Sequence, residues 1–215
     1  MDAREMQYQV ELKLKQLDSV GNRDLTTSDI EDLLNEAQRI YVRQNYEMFE
    51  TSERVRKVLD ELIGNANITP SGSSSANLDY GVFVTLPSDF MYSIEEMATI
   101  NLDTNGQVTT SVASYTKVPV KPVTYDEYAV NIDNPYKKPY RELVWRLDYQ
   151  KSTYKRHELI TDGTFSVITY HLRYLKFPSD IVISSNTSCA LSDITHDDIV
   201  NLAVNLTLKK DIKNE

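Results

Sequence analysis

Residues 82–102, VFVTLPSDFMYSIEEMATINL, decide the fold class, because two extended hydrophobic runs occur there. Val82, Val84 and Leu86 alternate with other residues, and a second run covers residues 94–102. A hydrophobic period of two is typical of a strand that buries one face. The middle of the chain is therefore predicted to be β-structure.

This β region extends toward the C terminus. Further strands are predicted at residues 107–115, 143–149, 158–160 and 165–175. Asn105-Gly106 and Asp162-Gly163 are typical hairpin turns, so each is expected to join two paired strands. Pro119 and Pro122 are expected to break the strand pattern. A short helix follows near residues 124–131, where Thr124 and Glu127 have the spacing of a capping box.

Helical periodicity precedes the β region. A first helix is predicted from a stripe at three- and four-residue spacing, Met6, Val10, Leu14 and Leu17. A second helix is predicted to start at Ser28, which Glu31 would cap reciprocally, and its core stripe is Ile30, Leu33, Leu34, Ala37, Ile40 and Tyr41. A third helix is predicted between a cap at Thr51 or Ser52 and a C-terminal Gly64, with Val55, Val58, Leu59, Leu62 and Ile63 on one face.

One more helix is predicted after the β region. Thr195 is its expected N-cap, and the residues expected to face the core are Ile199, Leu202, Ala203 and Leu206. The organisation predicted from these patterns is a helical segment at 1–64, a flexible Ser/Asn/Gly loop at 65–81, a β-rich core at 82–183 and a C-terminal helix at 184–215. The fold class is α+β, with the terminal helices packed around a central antiparallel sheet or small β-sandwich.

Charge is distributed unevenly along the 215 residues. The chain has 23 Lys and Arg against 32 Asp and Glu, a formal net charge of -9, which argues against non-specific binding to nucleic acid or anionic membranes. Residues 117–156 are the exception, with 9 basic and 5 acidic side chains, whereas residues 64–116 have 5 acidic and no basic side chains. No apolar run or N-terminal signal is long enough for a membrane span, so we expect a protein made in a reducing cytoplasm.

Searches for catalytic and metal-binding motifs favour a structural role. His157, His171 and His196 lie too far apart in sequence for a metal-binding motif, and each is most simply structural. Cys189 has no neighbouring His and is expected to be a small buried residue. Glu95 and Glu96 are adjacent on a strand and so are expected to point to opposite faces. We therefore expect no enzymatic activity, metal or cofactor.

Two sets of side chains are candidates for interaction. The first set pairs a basic loop of one copy with the acidic N-terminal helices, residues 1–63, of another copy. The basic side is Lys137, Lys138, Tyr140 and Arg141, and the acidic side is Glu31, Asp32 and Glu36. The 14 tyrosines suit such an interface equally as well as a half-exposed sheet. The second set is acidic and is expected to face a lumen or lie in loops: Asp79, Glu95, Glu96 and Asp103.

Several phrases together resemble a known family. The sequences concerned are TSDIEDLLNEAQRIYVRQ at 27–44, LPSDFMYSIEE at 86–96, NPYKKPYRELVWRLDY at 134–149, YHLRYLKFPSDIVI at 170–183 and HDDIVNLAVNLTLKK at 196–210. In order and content they resemble the head-to-tail connector ring proteins of tailed bacteriophages, most of all those of crAss-like phages. The resemblance covers most of residues 28–212.

This resemblance implies a structural virion protein. It implies a ring of identical copies, commonly twelve, located in the neck between portal and tail, where it would extend the DNA channel and join head to tail. The expected partners are other copies of the chain, the portal protein, neighbouring ring or tail proteins and double-stranded DNA passing without specific binding. A ring needs two different complementary faces on each copy, which the uneven charge would supply.

Two other functions fit the residues. The first is a β-rich module of a phage tail that presents tyrosines to a protein or glycan, which should act as a monomer or small oligomer. The second is a degenerate hydrolase that uses His157, His171 or His196 with a carboxylate. Loss of an activity in single His→Ala variants would distinguish the hydrolase from a structural protein.

Overall fold

A computed structural model describes residues 1–17, 25–70, 78–103, 105–151 and 154–212. It contains five helices, α1 (Ala3–Leu17), α2 (Thr27–Tyr46), α3 (Glu53–Leu59), α4 (Tyr125–Asn131) and α5 (His196–Ile212). Its seven strands are β1 (Ile63–Ile68), β2 (Gly81–Thr85), β3 (Phe90–Ile100), β4 (Thr116–Pro122), β5 (Val144–Lys151), β6 (Tyr154–Ile160) and β7 (Val167–Lys176). The predicted α+β class is confirmed.

The chain divides into two compact units. One comprises Met1–Ile63 together with Phe177–Glu215, and the other comprises Gly64–Lys176. The first unit is helical, and within it α2 and α1 both contact α5. The residues at 177–183, expected in the β-rich core, belong to this helical unit instead.

The helices of the first unit bury most of the predicted stripes. In α2 the buried residues are Ile30, Leu33, Leu34, Ala37, Gln38 and Val42, so the stripe continues through Gln38 and Val42. In α5 they include Ile199, Val200, Ala203 and Val204, whereas Leu202 and Leu206 are only half-buried. Leu17, predicted on the buried face of α1, is exposed because it is the last residue of the helix.

Three predicted helix ends are wrong. The capping box of α2 joins Thr26 and Asp29, each accepting from the other's backbone N–H, so the helix starts before Ser28. Thr195 does not cap α5 through its hydroxyl, which donates instead to the Ser192 carbonyl at 2.8 Å. Gly64 does not end α3, because the chain passes through a short 3-10 turn at Asp60–Leu62 and enters β1.

The second unit is built on one seven-stranded sheet with the order β1-β7-β3-β4-β5-β6-β2. Strand β3 runs antiparallel to β4 and β7, and β6 runs antiparallel to β2 and β5. Strands β4 and β5 run parallel, so the sheet is mixed where an antiparallel one was expected. A parallel pair needs a crossover connection, and residues 123–143 with α4 supply it. Thr124 caps α4 as predicted, accepting from the Glu127 N–H at 3.1 Å.

Strand β1 occupies part of the predicted 65–81 loop. Gly64 brings its backbone against β7: a Cβ there would lie 2.8 Å from the Tyr174 ring and 2.7 Å from Lys176 Cε. A glycine with no side chain permits this close approach. Residues 71–77 of the predicted loop lie outside the described residues.

The strand after the Asn105-Gly106 turn lies later than predicted. Gly106 has the positive φ of such a turn, but only an isolated bridge, Leu102 to Val108, follows it. The strand that pairs with β3 is β4, which contains Pro119 and Pro122. Pairing of β4 with β5 begins only at Val120, so at Pro119 the strand is paired on one side, with β3. A proline, which has no N–H to donate, is tolerated at such a position.

The Asp162-Gly163 turn does not join paired strands. Gly163 has a φ of +84°, which suits a tight turn, but β6 pairs with β5 and β2 whereas β7 pairs with β3. The chain therefore leaves β6 and enters a distant position of the sheet. A dipeptide specifies the turn conformation and leaves open which strands become neighbours.

The sheet buries side chains on both faces. The sheet curls around the larger cluster, so this cluster includes residues from β2 at one edge and from β7 near the other. Its members include Val84, Phe90, Ala98, Ile100, Val118, Val120, Val144, Leu159, Tyr170 and Leu172. The smaller cluster, Val123, Trp145, Leu147 and Ile160, lies on the other face, where Tyr128 and Ile132 of the α4 region cover it.

Candidate functional site

A polar network lies in the curled sheet and is buried except at Asp148, which is exposed. It comprises Glu96 on β3, Arg146 and Asp148 on β5, His157 on β6 and Tyr170 on β7. Asp148 and His157 are direct cross-strand partners, and the period of two places Arg146 on the same face as Asp148. The side chains of Glu96, Arg146 and His157 are at most one-tenth exposed.

The contacts of the network form a closed circuit. His157 Nδ1 lies 2.9 Å from Tyr170 Oη, which donates to Glu96 Oε2 at 2.9 Å. Glu96 Oε2 is also 2.9 Å from Arg146 Nε, while Arg146 Nη1 lies 3.0 Å from His157 Nε2 and contacts Asp148 Oδ1. The circuit therefore ties together β3, β5, β6 and β7.

The hydrogen-bond pattern assigns the neutral tautomer of His157. Arg146 Nη1 can only donate, so His157 Nε2 must accept and the ring proton resides on Nδ1, which donates to Tyr170 Oη. Tyr170 then donates its own proton to Glu96. The protons of Arg146 Nη1, His157 Nδ1 and Tyr170 Oη thus each point at an acceptor.

Burial and charge shift the pKa values of the network. Desolvation lowers the pKa of His157 below its ordinary value, and the neighbouring Arg146 acts in the same direction. When His157 is protonated, its Nε2, which lies 3.2 Å from Asp148 Oδ1, donates to that carboxylate, and this hydrogen bond holds the pKa of Asp148 below its ordinary value, with help from Arg146. Burial raises the pKa of the Tyr170 hydroxyl, so it stays protonated and remains a donor. This arrangement stabilises the fold by holding four strands together.

The other two histidines have structural partners as well. His171 Nδ1 lies 2.7 Å from Asn67 Oδ1 and its Nε2 lies 2.7 Å from Thr99 Oγ1, and desolvation lowers its pKa. The buried His196 donates from Nε2 to the Leu191 carbonyl at 2.9 Å. Cys189 is half-buried, and burial raises the pKa of its thiol to about 11.

The predicted basic residues form an ordered, exposed loop between α4 and β5. Lys137, Lys138, Tyr140 and Arg141 are all exposed, as is Tyr136, at 94%. The Asn134 side chain accepts from the Tyr136 N–H at 3.0 Å, and its carbonyl accepts from the N–H groups of Lys137 and Lys138. Reciprocal backbone bonds between Tyr140 and Leu143 close the following turn. These hydrogen bonds hold the loop backbone in one conformation, so the exposed side chains have defined positions.

The predicted acidic partners on α2 are less uniform. Glu31 Oε1 accepts from the Ile183 N–H at 2.6 Å, so this half-buried carboxylate has a partner within its own unit. Asp32 and Glu36 are exposed, but Arg39 and Arg43 lie on the same surface. Their part in an interface stays a prediction.

The four predicted lumen or loop carboxylates have three different environments. Asp79 and Glu95 are exposed, and Glu95 is the cross-strand partner of Arg173. Asp103 accepts from the N–H groups of Asn105 and Gln107, so it shapes the turn at Gly106. Glu96 points to the opposite face from Glu95, as predicted, and its side chain is buried beside Arg146.

The sequence patterns did not predict the roles of Arg146, Asp148 and Tyr170. Alternation on β5 is a usable signal, because Arg146 and Asp148 interrupt one face of an otherwise hydrophobic strand. Tyr170 carries no such signal, since tyrosine is common on strands. Exposed Ile194 was likewise not predicted.

Among the described residues, every helix is too short or too polar to span a bilayer. In the same residues, no group of three or more His, Cys, Asp or Glu side chains is arranged to hold a metal ion.

Comparisons with known proteins point to one family. The chain is 25% identical over 136 residues to "Ring protein 4/5" of Bacteroides phage crAss001, covering 56% of this chain and about half, 52%, of that protein. It is also 25% identical over 173 residues to "Ring protein 3" of the same phage, covering 74% of this chain and 71% of that protein. Residues 24–214 match the family described as phage tail ring protein 3/4. The chain therefore belongs to the phage tail ring protein 3/4 family.

Proposed function

We propose that this chain forms a ring in the neck of a phage virion, between portal and tail. The match of residues 24–214 to a phage tail ring family is the observation that carries the proposal. In this proposal the ring joins head to tail and continues the channel through which double-stranded DNA passes. Identical copies, commonly twelve in such connectors, close the ring, and the portal and neighbouring ring or tail proteins stack on its two sides.

The exposed side chains support an assembly role. Large hydrophobic or aromatic side chains are exposed within and after α4, namely Tyr125, Val130, Tyr136 and Tyr140. Tyrosine contributes apolar contact area and a polar tip, which suits protein interfaces. The helical unit supplies a different surface, so each copy has two distinct faces, as a closed ring of identical copies requires.

The ring proposal is tested by native mass spectrometry and negative-stain microscopy of the purified chain, alone and mixed with the portal protein of the same phage. A closed ring with a mass that is a multiple of 24.7 kDa, alone or bound to portal, is the expected result. A chain that stays monomeric in both samples and in a mixture with its neighbouring ring proteins would contradict the proposal. That result would favour a monomeric binding module.

Acidic side chains that face the channel would let DNA slide without binding. Asp79 and Glu95 are the exposed candidates. If they line the channel, Asp79→Lys with Glu95→Lys attracts phosphate and slows genome ejection from otherwise intact virions. The matched control is Asp126→Lys with Glu127→Lys, an equal charge change at exposed positions of α4. Equal ejection rates in the two variants and the wild type would place Asp79 and Glu95 away from the DNA.

A further inference from the structure

The loop at residues 134–141, NPYKKPYR, carries three cations, two exposed tyrosines and no carboxylate. Its backbone is ordered by the Asn134 and Tyr140 hydrogen bonds. Ordering before binding lowers the entropy that an interface costs, and Tyr and Arg are the side chains that most often anchor one. This loop has the properties of a docking surface for an acidic partner.

The partner of this loop is better described as a protein than as DNA. The exposed Tyr136 and Tyr140 offer the mixed apolar and polar contact area that suits a protein interface. The chain as a whole has a net charge of -9, so most of the surface of another copy is attractive to the three cations. Charge complementarity therefore favours a second copy of this chain.

One surface of the helical unit is complementary to the loop. Ile194 is 76% exposed, and Asp193, Asp197 and Asp198 surround it in sequence and are exposed too. Residues at three- and four-residue spacing share a helix face, which places Asp197 and Asp198 beside Ile194. Residues 181–208 contain no Lys or Arg, in contrast to α2, where Arg39 and Arg43 accompany the carboxylates. Asp193 is paired with the Met1 ammonium at 2.9 Å, so Asp197 and Asp198 are the carboxylates that this surface offers to the loop.

We propose that the 134–141 loop of one copy docks on the surface around Ile194 of the next copy. Lys137 and Lys138 pair there with Asp197 and Asp198, while a tyrosine of the loop covers Ile194. The contact is heterologous, since the two surfaces differ. This inference rests on the proposed ring function and names the contact that would hold neighbouring copies together.

Zero-length carbodiimide cross-linking of a mixture of ¹⁵N-labelled and unlabelled chain tests the contact. Cross-linked peptides of mixed isotope content report contacts between copies. We expect mixed-isotope links between Lys137 or Lys138 and Asp197 or Asp198. Their absence, at the highest concentration reached, would overturn the inference and leave the ring proposal to its own test with portal and neighbouring ring proteins.

Charge exchange gives a second, independent readout. Lys137→Glu with Lys138→Glu should weaken self-association by about tenfold or more in sedimentation velocity, and so should Asp197→Lys with Asp198→Lys. A mixture of the two variants should associate again, because each supplies the charge that the other lost. Arg56→Glu with Lys57→Glu, an equal charge change at exposed positions of α3, should leave association unchanged.

Two results would refute this contact even if the chain forms rings. The first is equal loss of association in the Arg56/Lys57 control, which would show an effect of net charge alone. The second is double-stranded DNA binding that the Lys137/Lys138 variant loses while its self-association is unchanged. The loop would then contact DNA and another surface would join the copies.

Discussion

His157 and Tyr170 lie on strands that are not neighbours in the sheet, yet His157 Nδ1 is 2.9 Å from Tyr170 Oη. Three strands, β3, β4 and β5, separate β6 from β7 in the sheet order. The contact is made because the sheet curls, so that side chains from distant strands meet over one interior. The hydrogen bond therefore fixes the curvature of the sheet as well as the orientation of the imidazole.

Removing the Tyr170 hydroxyl should destabilise the chain. Tyr170→Phe leaves His157 Nδ1–H without its acceptor and removes a donor to Glu96, and an unsatisfied buried polar group costs about 1–3 kcal/mol. Urea denaturation measures the loss in the free energy of unfolding. Tyr174→Phe is the control, since Tyr174 donates to Asp89 in a less buried pair. Equal stability of Tyr170→Phe and the wild type would show that the circuit contributes nothing.

Stability should fall as the solution is acidified through the ordinary pKa of histidine. The pKa of His157 is lowered in the folded chain, so between that pKa and about 6.5 the unfolded chain binds more protons than the folded chain. The free energy of unfolding therefore decreases as pH falls through this window. The titratable and charged groups around His157 are Arg146, Asp148, Tyr170 and Glu96. The pKa of Asp148 is lowered below its ordinary carboxyl value, outside this window.

Replacement of His157 tests that pH dependence. His157→Gln should be less stable near neutral pH and should show a flatter stability profile between about pH 7.5 and pH 5.5. His171→Gln should flatten the profile less, because the lowered pKa of His171 arises in a more exposed site. An unchanged slope in His157→Gln would show that another group causes the dependence.

The start of α2 can be tested by two neighbouring substitutions. Thr26→Ala removes the hydroxyl that accepts from the Asp29 N–H, and loss of such a cap costs about 1 kcal/mol. Ser28→Ala should change the free energy of unfolding by less than about 0.5 kcal/mol, because Ser28 is exposed within the first turn. Thermal or urea unfolding of both variants measures these changes. A larger loss in the free energy of unfolding for Ser28→Ala than for Thr26→Ala would indicate that Ser28 caps α2, as the sequence predicts.

Gly64→Ala should disturb the pairing of β1 with β7. The new methyl group would lie 2.8 Å from the buried Tyr174 ring, so the ring or the strand must shift, at a cost of about 1–3 kcal/mol. Hydrogen exchange should become faster in β1 and in the facing part of β7. Asn65→Ala, at the exposed neighbouring position, should leave exchange unchanged. Unaltered exchange in Gly64→Ala would mean that the backbone approaches β7 less closely.

The sequence predicts local structure in this chain better than strand pairing. The stripe at Ile30, Leu33 and Leu34 predicts α2, and Thr124 predicts the start of α4, because both depend on residues a few positions apart. The neighbours of β6 and β7 depend on which hydrophobic faces meet across the whole sheet. The Asp162-Gly163 turn carries no information about that choice.

The same distinction holds for the candidate site. The basic loop is contiguous, so its Lys137, Lys138 and Arg141 are visible in the sequence. The environment of Glu96 depends on Arg146, 50 positions later, which only the folded sheet brings beside it. Counting charges along a segment therefore cannot separate Glu95, at the surface, from the buried Glu96.

Cryo-electron microscopy of the intact virion tests the central claim most directly. We expect a ring of density in the neck between portal and tail that fits the seven-stranded unit and the helical unit of this chain in every repeat. Finding the chain in the capsid, in the distal tail or nowhere in the virion would contradict the account.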